Sequence, residues 1–347
     1  LLGATAVSVL AGPVEVEERP GVALWAATGL AAAPVPVRLT VEGAAGGTWS
    51  VPAEPDLADP ALSGGGSGDS GGGGGTGPTA ASRPTLLVLA DPFTFPVDAW
   101  LDETSRSLPG LAVVGGLASA GRAPGQNRLV LDGATHAHGA VGVLFDAGVG
   151  VRPVVSQGCR PIGDPWVVTA AEGNLVQTLG GRPALERLMA TIDALSPDDR
   201  ALAARGLHCG IVADERRLDY ERGDFLIRGV LGADRTSGAV AVGDVVPVGA
   251  TVQFQVRDAA SADEDLHQLL VDAPADAALV FTCNGRGVRF FGEAHHDARV
   301  VREVLDTPAV AGMFCAGELG PVGARNALHG FTASVVLFAD RSTASGI

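Results

Sequence analysis

The chain has 347 residues, 46% of them hydrophobic, with a formal net charge of -15. That length and apolar content suit two domains, or one large one, with an ample core, and the acidity opposes nonspecific binding to nucleic acid or an anionic membrane. All 24 basic residues are arginine, which excludes a Walker phosphate loop, a Schiff-base lysine and a kinase-type ATP lysine from these residues, because each requires a primary amine.

The opening "LLGATAVSVL" reads as a strand from inside a domain, so the sequence is expected to be an N-terminally truncated fragment lacking a preceding strand and helix. No basic segment precedes it as in a secretory leader, and "EVEERP" follows soon after. No apolar run reaches the roughly 18 residues of a membrane span; Asp146 and Arg152 interrupt the longest candidates. A cytoplasmic protein with no membrane or nucleic-acid partner is expected. "GVALWAA" (21–27) reads as a further apolar strand, and the glycine tract at 63–79 as a disordered loop insertion.

Residues 85–148 and 277–340 read as copies of one unit: apolar strand, turn, amphipathic helix, second apolar strand ending in small residues, loop, His-Gly and a last apolar strand. Their second strands align as "LAVVGGLASAG" and "PAVAGMFCAGELG", and their last as "HGAVGVLF" and "HGFTASVVLF". Between them, "RPALERLMATIDAL" (182–195) has helical spacing with Pro183 near its start. "LHCGIVAD", "DFLIRGVLGAD" and "GAVAVGDVVPVGATVQFQVRD" read as strands joined by Gly-Asp turns, and "SADEDLHQLLVDA" as a serine-capped helix. These elements predict an α/β (mixed α+β) fold: two related domains, residues 1–181 and 182–340, with mixed, largely antiparallel sheets flanked by helices.

The motifs "VVSQGCRPIGDPWVVTAAEGN", "GDFLIRGVLGAD", "VGATVQFQVRDAASADEDL", "FTCNGRG" and "AGMFCAGELGPVG…LHGFT" resemble the FIST proteins, in both their N-terminal and C-terminal domains. The resemblance covers the chain except the glycine tract. It implies a sensory module of signal transduction that binds small ligands such as amino acids, and it carries over no catalytic residues. One departure is "LLGATAVSV", where relatives often begin this turn Gly-Cys-Ser or Gly-Cys-Thr and this chain has Ala4 before Thr5.

Among the turns, "AALVFTC" ends at "NGRG", placing Asn284, Arg286 and Gly287 at a strand terminus. The neighbouring strand is expected to be "AVAGMFCA", ending at Gly317 and Glu318, and ligands of such sheets collect beyond the carboxyl ends of strands. Arg286 for a carboxylate and Glu318 for an ammonium would suit an amino acid; alternatively the two pair with each other or with loop carbonyls. "SQGCRP" is the second candidate, with Ser156, Gln157, Cys159 and Arg160 gathered round a glycine, either lining a pocket or capping strand ends. Arg257 and Asp258, like Asp224 and Arg228, read as structural ion pairs at strand ends.

No metal or cofactor is expected. His136 with His138, and His295 with His296, lack an evident third ligand, and the second pair is expected to be solvated at a helix start. Cys159, Cys209, Cys283 and Cys315 form no Cys-x-x-Cys pair and fit reduced thiols. A sensor acting through an unidentified signalling protein stands against an adaptor without a metabolite ligand and against a cysteine-dependent enzyme using Cys283 or Cys315 with His329, or Cys159.

Overall fold

A computed structural model describes residues 1–42, 48–49, 83–217 and 219–339; the glycine tract at 63–79 lies outside them. The first strands are β1 (Leu2–Ala4), β2 (Val9–Ala11), β3 (Val14–Val16), β4 (Val35–Leu39) and β5 (Val41–Glu42), the last paired with β6 (Thr48–Trp49). The first repeated unit runs β7 (Thr85–Ala90), α1 (Val97–Ser107), β8 (Ala112–Leu117), β9 (Leu129–Leu131), β10 (Ala134–His136) and β11 (Ala140–Phe145).

The middle of the chain gives β12 (Val151–Gln157), β13 (Cys159–Pro161), β14 (Trp166–Glu172), β15 (Leu175–Leu179) and β16 (Arg182–Pro183). Then come α2 (Ala184–Ala194), α3 (Pro197–Arg205), β17 (Leu207–Val212), β18 (Phe225–Ala233), β19 (Val240–Val242), β20 (Thr251–Arg257) and α4 (Ala259–Val271). The second unit is β21 (Ala277–Cys283), α5 (Val288–Phe291), α6 (His296–Leu305), β22 (Val310–Cys315), β23 (Glu318–Val322), β24 (Arg325–His329) and β25 (Thr332–Phe338).

The two units build matching six-stranded sheets, ordered β24-β23-β8-β7-β11-β4 and β12-β25-β21-β22-β2-β3. In each, the only parallel pair among the described residues joins the first two long strands of a unit, β7 to β8 and β21 to β22. Every residue of "TLLVLA" in β7 is buried, as a central strand covered on both faces requires. Each sheet is completed by a hairpin from the other end of the chain: β23–β24 pairs with β8, and β2–β3 with β22. The halves are thereby interlocked.

Four layers result. On α1, Val97, Trp100, Leu101 and Thr104 are buried, one face at helical spacing, and they pack on Val88 and Val113 of the first sheet. The sheets meet face to face through Leu87, Val114 and Val141 against Phe281, Met313 and Val336. Leu266 and Leu270 of α4 and Val300 and Val301 of α6 cover the far face of the second sheet. A separate barrel closes through β20-β14-β15-β19-β18-β17 and back to β20, with Val168, Val240, Val252 and Phe254 inside. Closure removes the edges that open antiparallel strands would expose.

Two local expectations are corrected. Residues 21–27 form no strand; Pro20 and Gly21 interrupt the chain, and Trp25 packs at a tilt on Phe338, ring centres 4.8 Å apart, while Val22 and Leu24 stay exposed. The strand lying beside β11 is β4 instead. Helix α4 is capped by Asp258, whose side chain accepts from the Ala260 and Ser261 amides, rather than by Ser261.

Candidate functional site

The parallel pair β21–β22 runs in register to Cys283 opposite Cys315. The start of β25 at Thr332 and the end of β12 at Gln157 lie at the same end of this sheet. Both groups of residues singled out in the sequence therefore converge, because Gln157 pairs with Thr332 and a Cβ placed on Gly158 would lie 3.2 Å from Arg286 Nη1.

Arg286 is fully buried, and Asp297 at the start of α6 takes up its fork: Nε and Nη2 donate to the carboxylate oxygens at 2.9 Å each. Thr282 Oγ1 donates to the same carboxylate at 2.5 Å, and His296 Nδ1 lies 3.0 Å from it. The guanidinium and these hydrogen bonds hold the Asp297 carboxyl far below its usual range despite burial. Only Nη1 of Arg286 is left without a partner. His296 also reaches Asp263 at 2.9 Å and stacks on Phe291, so at 3% exposure it is not solvated as expected.

Glu318 is also fully buried; one carboxyl oxygen accepts from the amide and hydroxyl of Thr332 and the other has no partner. Burial pushes this carboxyl up to about 8, and Glu15 to about 7. Between pH 4.5 and about 8 the folded chain keeps a proton at Glu318 that the unfolded chain releases. Stability then falls as pH rises, by up to about 1.4 kcal/mol per pH unit for one such group. Urea denaturation of Glu318→Gln from about pH 5 to 8 is expected to show a flatter dependence than the wild type; an unchanged slope would remove the buried proton.

Ser156 is buried with an unpartnered hydroxyl. The Gln157 amide donates to Asp265 and its Nε2 to the Phe225 carbonyl. Arg160 pairs with Asp199 and, at 2.6 Å, with Asp258. The amide of Leu117 donates to the Gly317 carbonyl, tying the two sheets together. The anticipated strand-end ion pairs form with other partners, Arg228 with Asp244 and Asp224 with Arg217.

A cavity of about 650 Å³ opens beside this sheet end. Asn284 and Gly287 line it, together with Ser8, Glu17, Glu18, Ser119, Arg205, Asp258, Arg289 and, centrally for its chemistry, Arg257. Arg286 and Glu318 are not among its walls. Arg257 does not pair with Asp258 as the sequence predicts; that carboxylate turns instead to Arg160. A glycine at 285 makes room for it, since a Cβ there would lie 3.2 and 3.3 Å from the Arg257 Nη atoms, and at 287 a Cβ would fall 2.1 Å from the Glu17 carboxylate. The two glycines around Arg286 thus admit side chains from β20 and from the start of the chain.

Burial pushes the Cys159, Cys209 and Cys283 thiols up to about 12, and Cys315 upward too. His329 is spent on the Gly320 carbonyl at 3.1 Å and lowered to about 4 by burial. Neither fact favours thiolate chemistry.

The family model for the FIST N domain matches residues 1–182, and that for the FIST C domain matches residues 184–321. An uncharacterized protein of Mycobacterium bovis is 46% identical over 346 residues, covering 98% of this chain and 83% of its own. An uncharacterized protein of Mycobacterium tuberculosis is 44% identical over 348 residues, covering 98% and 84%.

Proposed function

The chain belongs to the FIST family, whose domains are associated with sensory signal transduction, and from that premise we propose that it is an intracellular sensor binding a small, amino-acid-like ligand in the cavity beside the carboxyl ends of β21 and β22. The observation that carries this reading is the composition of the walls. Arginines 205, 257 and 289 line a cavity of about 650 Å³ together with Glu17, Glu18 and Asp258, Arg289 pairing with Glu18 at 3.0 Å and Asp258 with Arg160, and the volume is within the range of small-molecule sites. Donors for a carboxylate and acceptors for an ammonium thus share one cavity. Arg286 and Asp297 serve this site by fixing the loop that carries Asn284 and Gly287.

No helix among the described residues is long and apolar enough to cross a membrane. A signal in this reading is a change of shape or of partner affinity, which requires the ligand to bind two states unequally. Thermal denaturation against a panel of amino acids and related metabolites tests it. A ligand at 100 times its dissociation constant adds about 2.7 kcal/mol, expected here as a clear rise in melting temperature. No rise across the panel would leave an adaptor acting through a protein partner.

A further inference from the structure

Resting on that reading of the cavity, we infer that Arg257 is the anchor for a carboxylate of the bound ligand. Asp297, Asp258 and Asp244 claim Arg286, Arg160 and Arg228, each partly or fully buried. Arg257 has no carboxylate within 4.0 Å among the described residues. Its Nη2 donates to the Gly285 carbonyl at 2.7 Å, and its Nε is buried without a partner. By contrast Arg38, which also lacks a carboxylate, spends its fork on three carbonyls.

A half-buried guanidinium with so few acceptors is costly unless an anion completes it. Burial accordingly lowers Arg257 from its ordinary value. The fold nevertheless holds it in place. Its carbon lies 4.3 Å from the Phe290 ring and 4.9 Å from that of Phe331, contacts that favour a cation over an aromatic face. Phe331 keeps a left-handed backbone at φ 65 to do so, which is uncommon and strained for a bulky residue. The ring of Phe331 is fixed on its other contact by His208, at 4.4 Å.

The surrounding charge selects the anion. Three arginines and three acids line the cavity, and Arg289 is already paired with Glu18, so a doubly charged phosphate brings more negative charge than the walls offset, while a single carboxylate beside an ammonium is matched on both signs. A planar carboxylate also suits the donor fork of arginine.

Acetate is the minimal probe, followed by saturation-transfer NMR on the full chain, with inorganic phosphate as the comparison. Transfer to the acetate methyl is expected in the wild type and weaker by about tenfold or more in Arg257→Gln, the scale of one charge-assisted hydrogen bond. Gly285→Ala, which crowds the Nη atoms with a single methyl, is expected to weaken acetate binding in a chain that still folds. Acetate binding unchanged in both variants, or absent from the folded wild type, overturns the anchor. The two readings fail separately: Arg257-dependent acetate binding with no melting shift from any metabolite keeps the anchor and removes the sensor. A melting shift from uncharged metabolites without acetate binding does the reverse.

Discussion

Replacing Asp297 by asparagine is expected to lower the unfolding free energy by about 3–5 kcal/mol, the cost of leaving a buried charge without its partner. Arg286 and Asp297 are both fully buried and bonded through two hydrogen bonds of 2.9 Å. Asparagine keeps the shape, but one of those acceptors becomes a donor facing the guanidinium. Thr282, which donates to the carboxylate at 2.5 Å, loses a charged acceptor as well. At about 2–4 °C per kcal/mol for a domain of this size, the melting temperature should drop by roughly 10 °C. The carboxyl is depressed in the folded state, so its contribution is present above the unfolded value near 4 and disappears as pH falls. The gap between wild type and variant should therefore narrow in acid. A gap that stayed constant would mean that Asp297 stabilises through shape rather than charge. Because buried pairs often break even against apolar substitutes, the double variant Arg286→Met with Asp297→Leu should recover much of the loss.

Gly115→Ala is expected to be as damaging, by about 3 kcal/mol or more. Gly115 stands opposite Val88 in the first sheet and Gly312 opposite Val280 in the second, the same place in the two units. A Cβ at these positions would lie 2.0 and 1.9 Å from the carbonyl oxygens of Val88 and Val280. Gly115 also has φ 133, outside the regions that L residues adopt readily, so Gly115→Ala should exceed Gly312→Ala. Gly173 has φ 58 with open space around its Cβ position, and Gly173→Ala should cost only about 1–2 kcal/mol. Equal losses at Gly173 and Gly115, measured by urea denaturation, would show that backbone angle and not the close strand approach sets the requirement.

The repeated unit was legible because its signals are local. Short continuous apolar runs such as "TLLVLA", flanked by prolines at 84 and 92, read as strands covered on both faces, and the spacing of Val97, Trp100, Leu101 and Thr104 marks one helix face. Adjacency of β21 and β22 followed from the unit's strand-helix-strand order. The exchange of hairpins between the sheets left no such trace. Residues 9–16 and 318–329 pair far from their chain neighbours, and period-two alternation records which face a strand buries without recording its partner.

The site divides along the same line. Arginine between glycines marked the turn at the carboxyl end of β21, since strand termini and glycine turns are fixed by nearby residues. Which arginine meets the cavity was decided in three dimensions. Asp297, eleven residues beyond Arg286 and resembling an ordinary acidic residue of a helix's first turn, claims that fork. Asp258 turns away from Arg257 to Arg160, leaving Arg257 between Phe290 and Phe331 at the cavity wall. By itself the sequence determined the repeated units, their long strands and helices and the family, because periodicity and turn chemistry act over a few residues. Only the tertiary structure decided the pairing of charges, because ion pairs form between whichever groups the packed layers bring within hydrogen-bonding distance, whatever their separation along the chain.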